Sequence, residues 1–185
     1  MFPQPISPLV ARPSLGPARG RFLLVAAGLY ALWLLVYEGF VGPDGRLDAL
    51  LTEQVAQAGA WLLRALGFAA RTPPGAALLY MDGLPAVIVG AACDGLALYA
   101  LFAGFVLAYP GPGRVRLWFV PLGVVSLFLL NVVRVAVLAL NHHYAHRSVE
   151  FNHHYTFNFV VYGCICALWV WWVRRYGHVA APSPA

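Results

Sequence analysis

Residues 117–140, LWFVPLGVVSLFLLNVVRVAVLAL, decide the architecture. The run is long enough to cross a bilayer, which takes about 20 predominantly apolar residues. Its one charged side chain is Arg134, three residues after Asn131, so the two share a helix face. A charge at the centre of a span costs about 2.5–3.5 kcal/mol to insert, and less near the interface, where a long side chain can snorkel. Charged residues in spans usually face the bundle interior. A polar stripe of Asn131 and Arg134 therefore points to function more than to snorkelling.

The whole composition fits a membrane setting. Hydrophobic residues make up 61% and charged residues 10% of the 185 positions, with a mean hydropathy of +0.72. A soluble domain is nearer half apolar and a quarter charged. The length suits one compact domain. The net charge is +5, and all twelve basic residues are arginine. They are scattered beside apolar runs and form no basic stripe, which argues against nucleic-acid binding. Cys93, Cys164 and Cys166 give neither a disulfide framework nor a paired metal clamp. Cys164 and Cys166 lie in an apolar run and read as packing thiols. No cofactor and no metal is expected.

Outward from the central run, the chain alternates apolar stretches with polar turns. Residues 1–21 are rich in Pro, Gly and Arg without an acid and read as a disordered basic tail. FLLVAAGLYALWLLVYEGFV (22–41) resembles the apolar core of a signal peptide. Its length and the lack of a clear small-x-small site favour a retained signal-anchor span. Residues 47–70 place Leu47, Leu50, Leu51, Val55, Ala58, Leu62, Leu66 and Ala69 at helical spacing, with Asp48, Glu53, Gln57 and Arg64 off that stripe. This predicts an outer amphipathic helix, at the interface or packed sideways on the bundle, in preference to a further span. ALLYMDGLPAVIVG (77–90) flanks Asp82-Gly83 with two short apolar runs and predicts a small β-hairpin, with Pro85 limiting its second strand. Further spans are expected at about 92–109, 117–140 and 156–173, before a short tail at 177–185. The fold class is an all-α integral membrane protein of about four transmembrane helices, one membrane-embedded domain over 22–176.

Charge orients these spans. With a cytoplasmic N-terminus, the cytoplasmic segments hold Arg12, Arg19, Arg21, Arg114, Arg116, Arg174 and Arg175 and no acid, whereas the opposite side, outer span ends included, holds all seven acids against Arg46, Arg64, Arg71 and Arg147. Both termini are then cytoplasmic, with 42–92 and 141–155 outside. Cys93 falls at the outer end of the second span. Arg134 falls six residues before the outer end of the third, roughly 9 Å deep at ~1.5 Å per residue. His154 precedes the fourth, with Asn158 one turn below. Three chemistries thus meet in one thin layer.

Each member has an alternative reading. A cysteine at a helix end often only packs, yet the positive helix end and a nearby arginine favour thiolate. Asp94 opposes that if it faces the site, and otherwise serves as an N-cap, the favoured role. His142, His143, His146, His153 and His154 crowd one loop, and His153 competes with His154 for the site. His142 and His146 alone would make half a metal site.

Cys-Asp-Gly-Leu (93–96), Asn131-Val-Val-Arg134 and His154-x-x-x-Asn158-Phe-x-x-Tyr162 resemble the exosortase/archaeosortase family. These are multi-pass membrane cysteine enzymes that process proteins carrying C-terminal sorting signals. The resemblance covers about residues 84–163. Asp94, Asn158 and Phe159 stand where the family commonly has Ser, Gly and Trp, and the chain is compact, which leaves the sorting motif open. By this resemblance Cys93 matches the nucleophile, Arg134 the essential arginine and His154 the histidine, with Asn131, Asn158, His153 and Asp94 in support. It implies a protease or transpeptidase at the outer face of a bacterial cytoplasmic membrane. Its partners would be the sorting-signal tails of exported proteins, and lipid. The rival class is a non-enzymatic membrane protein. It would hold haem or a metal through its histidines, or serve as a structural subunit anchored by Arg134. Haem needs an axial pair on facing helices, whereas these histidines cluster in one loop.

Overall fold

The computed structural model describes residues 17–144 and 157–177. The chain runs α1 (Pro17–Val36), a π-helical turn (Tyr37–Val41), α2 (Gly42–Asp44), α3 (Arg46–Ala65), β1 (Ala70–Arg71), β2 (Leu78–Met81), β3 (Leu84–Ile88), a 3-10 turn (Ala91–Cys93), α4 (Leu96–Ala108), α5 (Gly113–Tyr144) and α6 (Phe157–Tyr176). The molecule is mostly helical. Among the described residues, Gly20–Asp44 and Gly113–Tyr144 are long and apolar enough to cross a membrane.

Several expected boundaries need correction. Helix α1 starts at Pro17, inside the stretch expected to be a tail. Proline suits a first turn, where its missing N–H would have had no helical partner. The expected span at 92–109 is a 13-residue helix, Leu96–Ala108, rising about 20 Å against a hydrocarbon core of about 30 Å. Gly95, at φ +85, breaks the backbone before it. A Cβ there would also meet the Tyr99 hydroxyl at 2.6 Å. Cys93 therefore stands in the preceding 3-10 turn, two residues before the N-cap, and does not open the helix. Helix α5 is longer than expected, at 32 residues. His142 and His143 form its last turn, not a loop.

Helix α3 is present but turned from the expected face. Its buried stripe is Asp48, Thr52, Val55, Ala56, Gly59, Ala60 and Leu63, while Leu47, Leu50 and Leu66 are exposed. Small residues let the helix approach α5 closely, as helices in membranes commonly do. A Cβ on Gly59 would lie 3.2 Å from Val135 Cγ1. Thr52 satisfies its hydroxyl locally, donating to the Asp48 carbonyl at 2.8 Å.

The hairpin forms, with a third strand that the sequence reading did not anticipate. The antiparallel order is β1-β2-β3. Asp82 and Gly83 both adopt positive φ, 49° and 81°, the geometry that favours a tight two-residue hairpin turn. A register shift between Leu79 and Tyr80 places Pro85 opposite Tyr80, where a strand tolerates the missing donor.

Two cores stack along α5. The first joins α3 and the sheet to the later half of α5 through Val55, Ala60, Leu63, Leu79, Met81, Val135 and Ala139. The second joins α4 and α6 to the earlier half through Phe102, Val106, Phe119, Leu127, Ile165 and Trp172. Phe128 touches both. At the far end of the second core, Phe22 meets Tyr109 at 5.4 Å and Trp118 meets Tyr176 at 6.5 Å. The ends that carry Arg21, Arg114, Arg116, Arg174 and Arg175 thus gather at one aromatic pole.

Candidate functional site

The site lies where the two cores meet. Asn131, only 3% exposed, donates from Nδ2 to the Cys93 carbonyl at 2.6 Å. This bond joins residues 38 apart in sequence and ties the cysteine turn to α5. One helical turn on, Arg134 is 8% exposed, and its Nε has no hydrogen-bond partner among the described residues. A buried guanidinium nitrogen left unpaired is costly. It is the kind of donor that an incoming oxygen would satisfy.

Arg134 and Asn131 line a cavity of about 370 Å³ together with Asp94, Gly95, Leu96, Trp33 and Tyr37. Trp33 stacks on Tyr37 at 5.3 Å between ring centroids, giving the cavity an aromatic wall from α1 and the π-helical turn after it. Cys93 is half-buried and packs on the first core, while its chain neighbours Ala91 and Asp94 line the cavity. Cys164 and Cys166 lie on α6, away from it.

Asp94 is 3% exposed. Its Oδ1 accepts from the Leu96 N–H at 2.8 Å, closing the start of α4, and its carbonyl accepts from the Tyr99 hydroxyl at 3.3 Å. Asp94 belongs to the turn, outside the helix.

The structure thus brings Asp94, Asn131 and Arg134 to one cavity and ties the Cys93 backbone to Asn131. His153 and His154 lie outside the described residues. Asn158 lies on the first turn of α6, with its side chain outside the described set. His143 is placed elsewhere, with Nε2 at 3.1 Å from Asp82 Oδ2 on the hairpin turn. No group of three or more His, Cys, Asp or Glu side chains that could hold a metal occurs among the described residues.

Sequence reasoning missed Asp48 and Tyr37. Asp48 stands off the apolar stripe expected for its helix, yet it is 8% exposed, and Tyr37 donates to its Oδ2 at 3.2 Å. The available signal was the spacing of Asp48, Thr52, Ala56, Gly59 and Ala60, small and polar residues on one stripe.

A family model for transmembrane exosortases matches residues 14–172. No curated protein and no solved structure matches the chain.

Proposed function

Because the chain belongs to the transmembrane exosortase family, we propose that it is a membrane-embedded cysteine protease or transpeptidase, with Cys93 as nucleophile, Arg134 as oxyanion donor and His154 as proton carrier. In this reading four helices span the cytoplasmic membrane, α4 being completed by its flanking turns. The arginine-bearing pole faces the cytoplasm, as the positive-inside rule requires. The site then faces outward, where the tail of an exported, membrane-anchored protein enters between helices.

The observation that carries the reading is the 2.6 Å bond from Asn131 to the Cys93 carbonyl. It sets the cysteine turn one helical turn from a buried arginine whose Nε has no partner. The Cys93 thiolate attacks the scissile carbonyl carbon, and the carbonyl electron pair moves onto oxygen. Arg134 stabilises that oxyanion, a role worth about 2.7–4 kcal/mol for one donor in comparable sites. The C–N bond then breaks, the leaving amine takes a proton from His154, and a thioester remains on Cys93. An amine or water gives its proton back to His154 and attacks the thioester, which releases the thiolate. Histidine suits both transfers because its ordinary pKa lies near neutrality.

The test is Cys93→Ala in cells that express the protein with a tagged protein carrying a C-terminal sorting tail. The reading expects the tail to remain attached. Processing at the wild-type rate would sink it. An absorbance scan of the purified protein separates the rival class, since a Soret band would mark a haem binder.

A further inference from the structure

The arginine-bearing pole takes no part in the reaction above, yet it holds buried donors that no group in the chain answers. Tyr109, Pro110, Gly111 and Pro112 turn the chain from α4 into α5. Arg116 Nη2 donates to the Tyr109 carbonyl at 2.8 Å, while its Nε is buried without an acceptor among the described residues. The Trp172 indole, 0% exposed, presses on the same turn: a Cβ on Gly111 would lie 3.2 Å from Cε2, the ring carbon bonded to Nε1. That Nε1 is likewise buried without an acceptor among the described residues. Two buried N–H donors, one from α5 and one from α6, therefore flank a single turn, and each is costly to leave unpaired.

The start of α5 adds to the same deficit. The first N–H groups of a helix have no partner inside it. Val115 and Arg116 direct theirs to the Pro112 carbonyl, at 3.1 and 3.3 Å, whereas those of Gly113 and Arg114 have no acceptor among the described residues. The positive end of a helix dipole favours an anion, but the first turn of α5 holds no acid and carries Arg114 and Arg116 instead. Arg21, Arg174 and Arg175 gather at the same pole, again without an acid. The helix start is open, since a Cβ on Gly113 would meet nothing within 4 Å.

We propose that the turn between α4 and α5 seats the phosphate of an anionic phospholipid, with Arg116 and Trp172 as its specific donors. A phosphate brings acceptor oxygens and negative charge, which this pole lacks, and helix starts and arginine forks both suit it. Charge complementarity sets the lipid class. A zwitterionic headgroup carries its own cation beside the phosphate, whereas an anionic one leaves its charge for the arginines. Leu117 and Trp118 on α5 and Trp171 on α6 are exposed and give the acyl chains an apolar surface. The lipid ties the turn before α5 to the end of α6. The orientation proposed above puts it in the cytoplasmic leaflet, but its binding depends neither on that orientation nor on the chemistry at Cys93.

The experiment titrates phosphatidylglycerol, or phosphatidylcholine with the same acyl chains, into the full-length protein in neutral detergent and follows bound lipid by native mass spectrometry. The parent should hold phosphatidylglycerol in preference to phosphatidylcholine. Arg116→Gln should weaken that binding by about tenfold or more, as loss of a charge-assisted bond does. Arg175→Gln, at an exposed position, should weaken it by no more than about fivefold, the share of one surface arginine. Trp172→Phe keeps a ring but removes the N–H. In phosphatidylcholine nanodiscs its thermal midpoint should match or exceed the parent's, because a buried unpaired donor is gone. In nanodiscs that also contain phosphatidylglycerol, it should lack part of the rise that the parent shows. Equal losses in Arg116→Gln and Arg175→Gln, or the parent's full rise in Trp172→Phe, would leave only diffuse surface charge and overturn the site. The same rise produced by inorganic phosphate in phosphatidylcholine nanodiscs would overturn the lipid as its ligand.

Discussion

Replacing Asn131 with Leu tests the joint between the two cores most sharply. The new side chain is of similar bulk but cannot donate, so the Cys93 carbonyl loses its 2.6 Å partner. A net hydrogen bond contributes about 0.5–1.5 kcal/mol, and a buried acceptor left unpaired costs about 1–3 kcal/mol. The bond is only partly buried, so the lower part of that range applies, about 1–2 kcal/mol. For a chain of this size each kcal/mol moves the thermal midpoint by about 2–4 °C, which gives a fall of about 2–8 °C. Processing should fall further than stability does, since a misplacement of about 1 Å at a reacting centre costs on the order of a hundredfold. Tryptophan fluorescence in detergent reads the midpoint, and release of a tagged tail reads the activity. Val133→Ala, at an exposed position on the same helix, is the control and should change little. An Asn131→Leu protein with the parent's midpoint and processing rate would refute the view that this bond holds the cysteine turn.

Three further outcomes follow from the geometry. Arg134→Lys keeps the charge but loses the planar fork, and should cut processing by roughly 10²–10³-fold, as loss of an oxyanion donor does. Processing within a factor of a few of the parent would remove Arg134 from the chemistry. Gly123→Ala would drive a Cβ into the fully buried Phe102 ring and should cost about 1–3 kcal/mol as overpacking, seen in the midpoint. Gly163→Ala, with open space around it, should be neutral or gain up to about 1 kcal/mol from helix propensity.

The membrane character and the order of elements were legible because they rest on hydropathy and spacing. Apolar runs marked the long helices, and Asp82-Gly83 marked a turn that needs two left-handed residues. Asn131 and Arg134 stood out because polar groups in an apolar run are expensive. Helix ends were harder to read. Gly95 ends a helical pattern only when its φ is known, so Cys93 was given a helix start it does not have. The face of α3 was misjudged for a different reason. In water leucines mark the buried side, but beside lipid they can face outward while small and polar residues pack inward. That inversion hid Asp48. The third strand, Ala70–Arg71, is two residues long and pairs through backbone bonds that no side-chain pattern announces.

The most direct test is to look for the acyl group on Cys93. Purified full-length protein is mixed with a membrane-anchored tail peptide, quenched in acid, digested and weighed by mass spectrometry. A thioester on the Cys93 peptide, absent in Cys93→Ala and cleared by an added amine, is the predicted result. Cleavage of the tail that continues in Cys93→Ala, or an acyl group found only on Cys164 or Cys166, would contradict it.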